Sequence, residues 1–396
     1  MIYSKLMTSA YPRIAIIHDW FAVYTGSERV VEQILNIFPQ ADLFSLVDFL
    51  PDDQRGFLQG KSVKTSFIQR LPFARRKFRQ YLPLMPLAVE QFDLSGYDLV
   101  ISSNHAVAKG ALTGPDQLHV SYIHTPIRYA WDMQAQYLRE AQLEKGLKSW
   151  FVRWMLHYIR SWDQRTMNGV DAAAVNSRYV ARRVWKIYRR EAQVIHPPVD
   201  IHQYTPGDAK EDFYLTVSRL VPYKKVDEIV RAFTQMPERK LVVIGDGPES
   251  ACIRKLATPN VEVAGYQPNA EVARWMQRAR AFIFAAQEDF GITPLEAQAC
   301  GTPVIAYQRG GACETIRGLD DANPTGVFFL EQTAESIIAA VEQFEGSAGR
   351  ISAQSCRENA EQYSPERFRQ EFADFVQRAW EVHLKNQLLA TDLQAK

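Results

Sequence analysis

Short runs of apolar, mostly β-branched residues recur along the chain, and longer amphipathic segments separate them. In the first half, these runs predict strands at residues 13–20, 41–47, 98–103, 118–124 and 172–176. In the second half, they predict strands at residues 212–218, 240–246, 261–265, 281–286 and 302–307. Buried strands that alternate with helix-length segments are typical of an α/β protein with parallel sheets.

The strands fall into two groups, each about the size of one doubly wound domain. A chain of 396 residues is also too long for one ordinary core. Between the groups, the segment VIHPPVDIHQYTPGD (194–208) contains three prolines and a glycine, which prevent a continuous helix. We therefore predict a first domain at residues 1–197, a second at 198–369, and a long final helix at about 370–396, which follows a Ser-Pro start at Ser364.

Composition fits a globular protein in the cytoplasm. No run approaches the ~20 apolar residues of a membrane span, and the first residues lack the layout of a signal peptide. The four cysteines are widely spaced and form no CxxC motif, so we expect reduced core residues and neither a zinc site nor a disulfide framework.

The net charge of +1 hides an asymmetry between the two halves. Residues 1–199 carry 25 Lys and Arg against 17 Asp and Glu, whereas residues 200–396 carry 21 against 28. The strongest basic cluster, Lys61–Arg79, interleaves phenylalanines, and the segment Gly146–Trp162 places aromatic residues at helical spacing among basic ones. Either segment could instead be a solvated face over a core stripe.

This asymmetry suggests that the first half meets something anionic. Nucleic acid is disfavoured because no nucleic-acid-binding motif accompanies the charge. An anionic membrane surface fits the aromatic admixture better, and Arg75, Arg76 and Lys77 are its candidate contacts.

Candidate chemistry follows the predicted strands, as expected for open α/β sheets, which bind ligands beyond the carboxyl ends of their strands. Arg219 and Lys224 precede an amphipathic helix, where two cations and free amide groups suit a diphosphate. The alternative is a basic loop before a proline-started helix. Gly245 lies in GDGPE, which either lets the backbone approach a ligand or makes an ordinary tight turn.

The third loop, within QEDFGITPLEAQACGTPVIA (287–306), places Glu288 and Glu296 on either side of a Phe-Gly turn. Thr293 to Glu296 has the form of a capping box with Thr293 as N-cap, which explains Glu296 but not Glu288. Carboxylates accept hydrogen bonds from the vicinal hydroxyls of sugars. The two acids could therefore hold the two sugars of a nucleotide-sugar, with the cationic pair on the diphosphate between them.

The segments EDFGITPLEAQACGTPVIA, SRLVPYKKVD and VVIGDGPE, with the PPVD linker, resemble the retaining GT-B glycosyltransferases of family 4. This resemblance implies two Rossmann-like, doubly wound parallel-sheet domains that face a cleft. The first would bind the acceptor and the second the donor, and the final helix would cross back onto the first domain. It also implies sugar transfer with retention at the anomeric carbon, without a cofactor or a metal. The sequence contains no Asp-x-Asp, which agrees with a metal-free diphosphate site.

The resemblance also assigns roles. Arg219 and Lys224 would neutralise the leaving diphosphate, Glu288 would contact the transferred sugar, and Glu296 would hold the ribose. Tyr266 falls where the family contacts the base, and Gly26 stands in a loop where the family usually has paired glycines. The donor-binding set is Gly26, Arg219, Lys224, Gly245, Tyr266, Glu288, Phe290, Gly291, Ile292, Thr293 and Glu296.

In the first domain, SYIHTPIRYAWD (121–132) resembles the family segment that carries a histidine near the reacting sugar, so His124 is the fourth catalytic candidate beside Arg219, Lys224 and Glu288. The alternative for a lone histidine is a satisfied core residue. Arg128, Tyr129 and Trp131 are candidate acceptor or membrane contacts. The sequence of this segment is also close to that of bacterial polysaccharide (O-antigen or exopolysaccharide) mannosyltransferases. This implies GDP-mannose as donor, a lipid-diphosphate-linked saccharide as acceptor, and a peripheral location at the inner face of the plasma membrane.

Other functions stay open. The same architecture serves UDP-sugar-dependent transferases, nucleotide-sugar epimerases, sugar phosphorylases and catalytically silent sugar-nucleotide-binding subunits. Asp289-Phe290-Gly291 matches the kinase DFG motif, but no HRD or VAIK segment accompanies it. The missing GxGxxG motif argues against a dinucleotide-dependent oxidoreductase.

Overall fold

The computed structural model describes residues 12–207 and 209–394. The chain forms two compact units, Met1–His196 with Phe368–Lys396, and Pro197–Arg367. The predicted boundaries were 197/198 and 369/370. Residues 1–11 of the predicted first domain, residue 208 at the linker and residues 395–396 of the predicted final helix lie outside the described residues.

The first unit contains a sheet of seven parallel strands. These are β1 (Ile14–His18), β2 (Asp42–Ser45), β3 (Val63–Thr65), β4 (Leu99–Asn104), β5 (Leu118–Ile123), β6 (Ala172–Val175) and β7 (Gln193–Val194). Their order in the sheet is β3-β2-β1-β4-β5-β6-β7. Every residue of β1, β4 and β5 is buried, as expected for parallel strands covered on both faces.

Helices and short 3₁₀ turns connect these strands. The helices are α1 (Gly26–Ile37), α2 (Ala74–Lys77), α3 (Met85–Glu90), α4 (Gln134–Glu140), α5 (Leu147–Thr166) and α6 (Arg178–Tyr188). The 3₁₀ turns are Asp52–Gln54, Gly56–Leu58, Phe67–Arg70, Phe78–Leu84, Ala108–Gly110 and Met167–Gly169.

The second unit contains a sheet of six parallel strands. These are β8 (Phe213–Val217), β9 (Lys240–Ile244), β10 (Val261–Gly265), β11 (Ala281–Phe284), β12 (Val304–Tyr307) and β13 (Gly326–Phe329), and their order is β10-β9-β8-β11-β12-β13. The helices are α7 (Val226–Thr234), α8 (Ser250–Leu256), α9 (Asn269–Arg278), α10 (Ile292–Ala299), α11 (Ala312–Thr315), α12 (Ala334–Ser347) and α13 (Ala353–Glu361). The 3₁₀ turns are Pro222–Lys224 and Ala348–Arg350.

The last helix, α14 (Pro365–Gln394), begins in the second unit and continues in the first. Its buried Phe368 and Phe372 stack with ring centroids 5.7 Å apart. Both rings join the core of the first sheet, where they pack edge-on against Tyr122 of β5. Buried aromatic area of this kind fixes the helix to the first unit.

The predicted α/β fold with two doubly wound parallel sheets is confirmed. All ten predicted strands are present, and eight of them are shorter than the predicted run, whereas β4 and β10 have the predicted length. The sequence patterns missed β3, β7 and β13, because these strands have only two to four residues at the sheet edges. The expectation of four core cysteines is wrong for Cys252 and Cys313, which are exposed, whereas Cys300 and Cys356 are buried.

The strand order reverses once in each sheet, between β1 and β4 and between β8 and β11. At such a switch point the connections leave towards opposite faces of the sheet, which opens a crevice beyond the carboxyl ends of the two strands. The residues that follow these four strands are therefore the first place to look for a ligand site.

Candidate functional site

In the second unit, the loops after β8 and β11 meet through an ion pair. Lys224 ends the 3₁₀ turn after β8, and its ammonium lies against the carboxylate of Glu288, which follows β11. The exposed fractions of the two side chains are only 16% and 21%. Because partial burial disfavours an isolated charge, each side chain offsets the desolvation cost of the other.

Arg219 adds a second cation after β8. Its residue is exposed, and its guanidinium makes no hydrogen bond or ion pair with any other residue in the described part of the chain. A guanidinium without a protein partner at the carboxyl end of a switch-point strand remains available to an anion.

Gly245 follows β9 with a φ of 136°, a value that favours glycine. A Cβ at this position would lie 1.8 Å from the carbonyl oxygen of Ser218, in the loop after β8. The Gly245 amide donates to the carbonyl of Gly265 at 2.8 Å. Close packing of neighbouring loops thus explains this glycine, and its contact with a ligand stays a prediction.

The sequence analysis did not identify the loop after β12, which packs against the backbone of Glu288. Gly310 has a φ of 73°, and a Cβ there would lie 2.2 Å from the Glu288 carbonyl oxygen. Gly311 donates its amide to the same oxygen at 2.9 Å, and a Cβ on it would lie 2.3 Å from the Cα of Phe290. The signal was available in the sequence as two adjacent glycines shortly after a predicted strand.

The expected capping box at Thr293 is wrong. The helix α10 begins at Ile292, so Thr293 lies inside its first turn, and Gly291 is the N-cap with a φ of 87°. This left-handed backbone turns the chain sharply enough to begin the helix two residues earlier than the motif predicts. The first amides of α10 therefore come directly after the Glu288 loop, where unpaired helix N–H groups favour anions.

The other predicted donor contacts in this unit differ in exposure. Phe290 is buried and packs against the ring of Tyr363 at 5.7 Å, so its side chain belongs to the core. Glu296 is also buried, with 6% exposed, within α10. Tyr266, directly after the edge strand β10, exposes 75% of its surface. Their contacts with a ligand stay predictions.

In the first unit, His124 lies at the end of a chain of buried polar side chains. Its Nε2 is 2.8 Å from the Ser103 hydroxyl, and that hydroxyl is 3.1 Å from Nδ1 of His18. The Nε2 of His18 is in turn 3.4 Å from a carboxylate oxygen of Glu28 on α1. His18 ends β1 and Ser103 is its direct partner on β4, so the chain crosses the switch point of the sheet.

A second buried carboxylate holds the loop that follows β4. Asp19 accepts hydrogen bonds of 2.6–2.8 Å from four consecutive amides, those of His105, Ala106, Val107 and Ala108. Burial alone would raise the pKa of Asp19, but the His105 ring and these amides lower it. A carboxylate with this many donors stays ionised and keeps the loop in one conformation.

The segment from His124 to Asp132 is held at several points. Asn176 donates to the His124 carbonyl at 2.8 Å. The guanidinium of Arg183 binds both carboxylate oxygens of Asp132 at 3.0 and 2.6 Å, and it also donates to the Thr125 hydroxyl. These bonds give His124 a fixed backbone beside the switch point.

Trp131 has a structural bond in this segment. Its indole N–H donates to buried Asp163 at 2.7 Å, and the hydroxyl of Tyr188 donates to the same oxygen at 2.7 Å. The other Asp163 oxygen binds the ammonium of fully buried Lys109 at 2.5 Å. The polar atom of Trp131 is therefore used within the protein, and its role as an acceptor or membrane contact is a prediction for the ring face alone.

The remaining first-unit candidates lie on the surface or at helix starts. Gly26 is the first residue of α1, after the N-cap Thr25, whose amide and hydroxyl both donate to Glu28. Arg128 is partly exposed, and Tyr129 packs against Tyr137 with ring centroids 6.0 Å apart. Burial raises the pKa of Tyr129, so its hydroxyl stays protonated.

Exposed cations and aromatic rings occur together in the first unit. Arg75, Arg76 and Lys77 on α2 are all exposed, and Phe73 next to them exposes 77% of its surface. The helix α5 buries one face and exposes large apolar side chains on another: Leu147, Trp150, Phe151 and Trp154. These aromatics are not a core stripe. No helix in the described part of the chain is long and apolar enough to cross a membrane.

No three His, Cys, Asp or Glu side chains among residues 12–207 and 209–394 are grouped so that they could hold a metal ion. The charged groups of the candidate site are the cations Arg219 and Lys224 and the carboxylate Glu288, in the second unit.

Curated relatives match parts of the chain. A GDP-mannose-dependent monoacylated alpha-(1-6)-phosphatidylinositol monomannoside mannosyltransferase from Corynebacterium glutamicum is 32% identical over 178 residues, which are 37% of this chain and 47% of the relative. A D-inositol 3-phosphate glycosyltransferase from Mycobacterium marinum is 27% identical over 231 residues, 51% of this chain and 49% of the relative. The chain thus spans about half the length of the curated relatives it matches.

Solved structures share the fold at low identity. HepE from Anabaena, in complex with UDP and glucose, has a TM-score of 0.65 and 16% identity and covers 93% of this chain and 100% of its own. Sucrose-phosphate synthase from Thermosynechococcus elongatus has a TM-score of 0.71 and 15% identity, with the same coverage. Both likenesses concern the arrangement of the backbone.

Two family models match the chain in succession. Residues 24–203 match the model described as Glycosyltransferase Family 4, and residues 200–363 match the model described as Glycosyl transferases group 1. Each match falls on one of the two parallel sheets, and each sheet carries polar side chains at its switch point. With two such sheets and matches that together extend over residues 24–363, the chain belongs to the GT-B glycosyltransferases of group 1 and family 4.

Proposed function

We propose that the protein is a retaining, metal-independent hexosyltransferase that moves mannose from GDP-mannose onto a lipid-diphosphate-linked saccharide in the synthesis of a bacterial surface polysaccharide. The observation that carries the proposal is the Lys224–Glu288 pair at the switch point of the second sheet, with the unpartnered guanidinium of Arg219 on the same strand-end loop. This set combines two cations for a diphosphate with a carboxylate for sugar hydroxyls.

In this proposal the second unit holds the donor. Arg219 and Lys224 bind the diphosphate, Glu288 binds hydroxyls of the transferred sugar, and Glu296 binds the ribose. The amides of Gly291 to Thr293 contribute donors from the start of α10. Gly245 and Tyr266 lie after β9 and β10, on the side of the sheet where the base would extend.

The chemistry needs no protein nucleophile. The acceptor hydroxyl attacks the anomeric carbon on the face from which the diphosphate departs. The bond between that carbon and the phosphate oxygen breaks while the new glycosidic bond forms, and the hydroxyl proton passes to the leaving phosphate oxygen. The protein then contributes positioning and stabilisation of the charge that develops on the diphosphate.

Two observations favour GDP-mannose. The Corynebacterium glutamicum relative, whose name states dependence on GDP-mannose, is the 32% identical match. The segment from His124 to Asp132 also resembles a subgroup of bacterial polysaccharide mannosyltransferases. A UDP-sugar is the second candidate, favoured by the structural likeness to HepE, which was solved with UDP and glucose.

The acceptor and the membrane belong to the same proposal. Exposed Arg75, Arg76 and Lys77 beside exposed Phe73 suit an anionic bilayer surface, and α5 exposes further aromatic rings. A saccharide on a lipid diphosphate would be presented at such a surface. We therefore propose that the protein works peripherally at the inner face of the plasma membrane.

Calorimetric titration tests the donor. The purified protein is titrated in EDTA with GDP, UDP and ADP, and then with GDP-mannose and UDP-glucose. Binding of GDP and GDP-mannose alone is the expected result. A preference for UDP would retain glycosyl transfer and reject mannose, and no binding of any nucleotide would mean a catalytically silent protein and contradict the proposal.

A further inference from the structure

Four side chains form a continuous polar chain in the first unit. Glu28 contacts Nε2 of His18, Nδ1 of His18 contacts the Ser103 hydroxyl, and that hydroxyl contacts Nε2 of His124. The first three are buried: His18 and Ser103 are 0% exposed and Glu28 is 3% exposed. They come from α1, β1 and β4, and they end on the one predicted catalytic residue of this unit.

The Ser103 hydroxyl decides how protons are arranged along the chain. A serine hydroxyl carries one hydrogen, so it can donate to only one of its two imidazole neighbours and must accept from the other. The orientation of this one hydrogen therefore ties the tautomer of His18 to that of His124. Neither histidine can change tautomer without a change in the other.

Glu28 determines the direction of the hydrogen bonds along this chain. Burial alone would raise its pKa, but the hydrogen bonds from His18 and the Thr25 hydroxyl lower the pKa. The ionised carboxylate also accepts hydrogen bonds from the Thr25 amide at 3.0 Å and the Ser27 hydroxyl at 2.9 Å. Because an ionised carboxylate only accepts, the proton of a neutral His18 lies on Nε2.

The hydrogen positions on Ser103 and His124 follow from the donor and acceptor roles of their neighbours. With its proton on Nε2, neutral His18 accepts the Ser103 hydrogen at Nδ1, and the Ser103 oxygen then accepts the N–H of His124 at Nε2. Burial lowers the pKa of His124, so its ring is neutral. Its Nδ1 is left with a lone pair, and this nitrogen makes no hydrogen bond within the described residues.

We propose that Glu28, His18 and Ser103 are positioning residues that fix the Nε2-protonated tautomer of His124, so that its Nδ1 is an acceptor for a sugar hydroxyl. The inference rests on the proposed function, in which the protein binds and transfers a sugar. An acceptor nitrogen suits a hydroxyl and repels a phosphate oxygen. The relay therefore selects for the sugar and against the diphosphate at this position.

The relay has this direction only while the His18 ring is neutral, so its test requires a neutral His18. A doubly protonated His18 would donate from both nitrogens, turn the Ser103 hydrogen towards His124 and move the His124 proton to Nδ1. The titratable groups around His18 are Glu28 on α1, Asp19 next in the chain, His105 after β4 and His124 after β5. The test is therefore made at pH ~8.5, above the usual range of imidazole titration.

Long-range ¹H–¹⁵N correlation spectra of protein with ¹⁵N-labelled histidine report the tautomer of each ring. His124→Gln identifies the His124 signals, and Glu28→Gln and Ser103→Ala test the relay. Glu32→Gln, on the same helix and bonded to the Tyr24 hydroxyl, is the matched control. We expect a protonated Nε2 and a bare Nδ1 for His124 in the wild type and the control, and a mixture of tautomers in both relay variants.

Kinetics provide the second readout. In Glu28→Gln and Ser103→Ala we expect kcat to fall about tenfold or more while KM for the nucleotide-sugar changes less than about threefold, since the nucleotide contacts lie elsewhere. GDP-mannose should also shift the Nδ1 signal of His124 in the wild type, whereas GDP alone should not. A donor that binds without shifting this signal would overturn the sugar contact.

A protonated Nδ1 in the wild type, or an unchanged tautomer in both relay variants, would overturn the relay. The spectra need no activity, so the relay and the proposed function can fail separately. If the tautomers behave as expected but no donor binds, the relay stands as a structural device and the transferase proposal is wrong. Ser103→Ala changes no charge, so it keeps the test valid if Glu28→Gln does not fold.

Discussion

The ammonium of Lys224 lies against the carboxylate of Glu288, although the two residues stand in loops that follow different strands, β8 and β11. These strands flank the reversal of strand order in the second sheet. In the proposed reaction the donor replaces this pair: the diphosphate takes the ammonium and the sugar hydroxyls take the carboxylate. In the free protein, the Lys224 ammonium and the Glu288 carboxylate are thus already partly desolvated and in position before the donor binds.

Replacement of Glu288 should separate transfer from nucleotide binding. In Glu288→Gln we expect transfer to fall about a hundredfold or more, a loss of ~2.7–4 kcal/mol in the transition state. GDP affinity should change less than about threefold, because the carboxylate contacts the sugar and not the nucleotide. Steady-state kinetics and calorimetry with GDP measure the two effects.

The control for this variant is Glu262→Gln, which breaks the surface pair of Glu262 with Lys240, where N and O are 3.3 Å apart. We expect wild-type kinetics from it. An equal loss of GDP affinity and transfer in Glu288→Gln would show that the carboxylate serves the nucleotide, which contradicts the role proposed for it.

Arg219 should contribute to diphosphate binding and not to the stability of the fold. Because its guanidinium has no partner in the described part of the chain, Arg219→Ala should leave the free energy of unfolding within about 0.5 kcal/mol of the wild type. Transfer should fall about a hundredfold, and GDP should bind more weakly while guanosine binds as before. Arg231→Ala, at an exposed position of α7, is the control and should change neither. Equal weakening of guanosine would place Arg219 at the nucleoside.

The glycine pair after β12 should be required for the position of Glu288. A Cβ on Gly310 would meet the Glu288 carbonyl oxygen at 2.2 Å, in a backbone conformation with a φ of 73°. We expect Gly310→Ala to lower the free energy of unfolding by more than about 1 kcal/mol and to reduce transfer with it. Urea unfolding and kinetics check both effects.

Gly346→Ala is the matched control, because Gly346 lies in α12 with no atom within 4 Å of a new Cβ. It should stabilise the helix or leave stability unchanged. A stable, fully active Gly310→Ala would mean that the Glu288 loop moves freely, and the support that we assign to the glycines would be wrong.

Charge reversal on α2 tests the membrane surface. Wild-type protein should bind liposomes that contain anionic lipid at low salt, and Arg75→Glu, Arg76→Glu and Lys77→Glu together should weaken binding by more than about a hundredfold, at ~1 kcal/mol for each lost cation. Transfer to a lipid-linked acceptor should fall as well, whereas transfer to a water-soluble acceptor analogue should not.

Reversal of three exposed basic residues of the second unit, Arg231, Arg254 and Lys255, controls for net charge. If both triple variants lose the same affinity, the attraction is general and α2 is not a docking surface. Wild-type protein that ignores anionic liposomes would contradict the proposed location.

The sheets could be predicted from sequence because their central strands are continuous apolar runs. The runs at 13–20 and 98–103 contain β1 and β4, which are buried on both faces. Short edge strands carry no such signal: β3 consists of Val63, Lys64 and Thr65, with Lys64 exposed. Local pattern also misplaced the start of α10, because the backbone conformation of Gly291 overrides the Thr293 capping signal.

The candidate site was predictable only in part, for a different reason. Arg219, Lys224 and Glu288 follow predicted strands and His124 ends one, so their residue types and positions identified them as candidates. The relay behind His124 depends on register: His18 and Ser103 are separated by 85 residues and meet because parallel pairing of β1 and β4 places them opposite each other. The register between two strands is set by the folded sheet, so it cannot be predicted from the sequence of either strand alone.

The most direct measurement is transfer itself, in EDTA, with GDP-mannose and a lipid-diphosphate-linked saccharide as acceptor. Mass spectrometry detects the product and nuclear magnetic resonance reads the configuration of the new linkage. We expect one added hexose with the anomeric configuration of the donor, and about a hundredfold less product from Glu288→Gln under the same conditions. An inverted linkage, a requirement for a divalent metal, or the absence of transfer from every nucleotide-sugar and acceptor offered would contradict it.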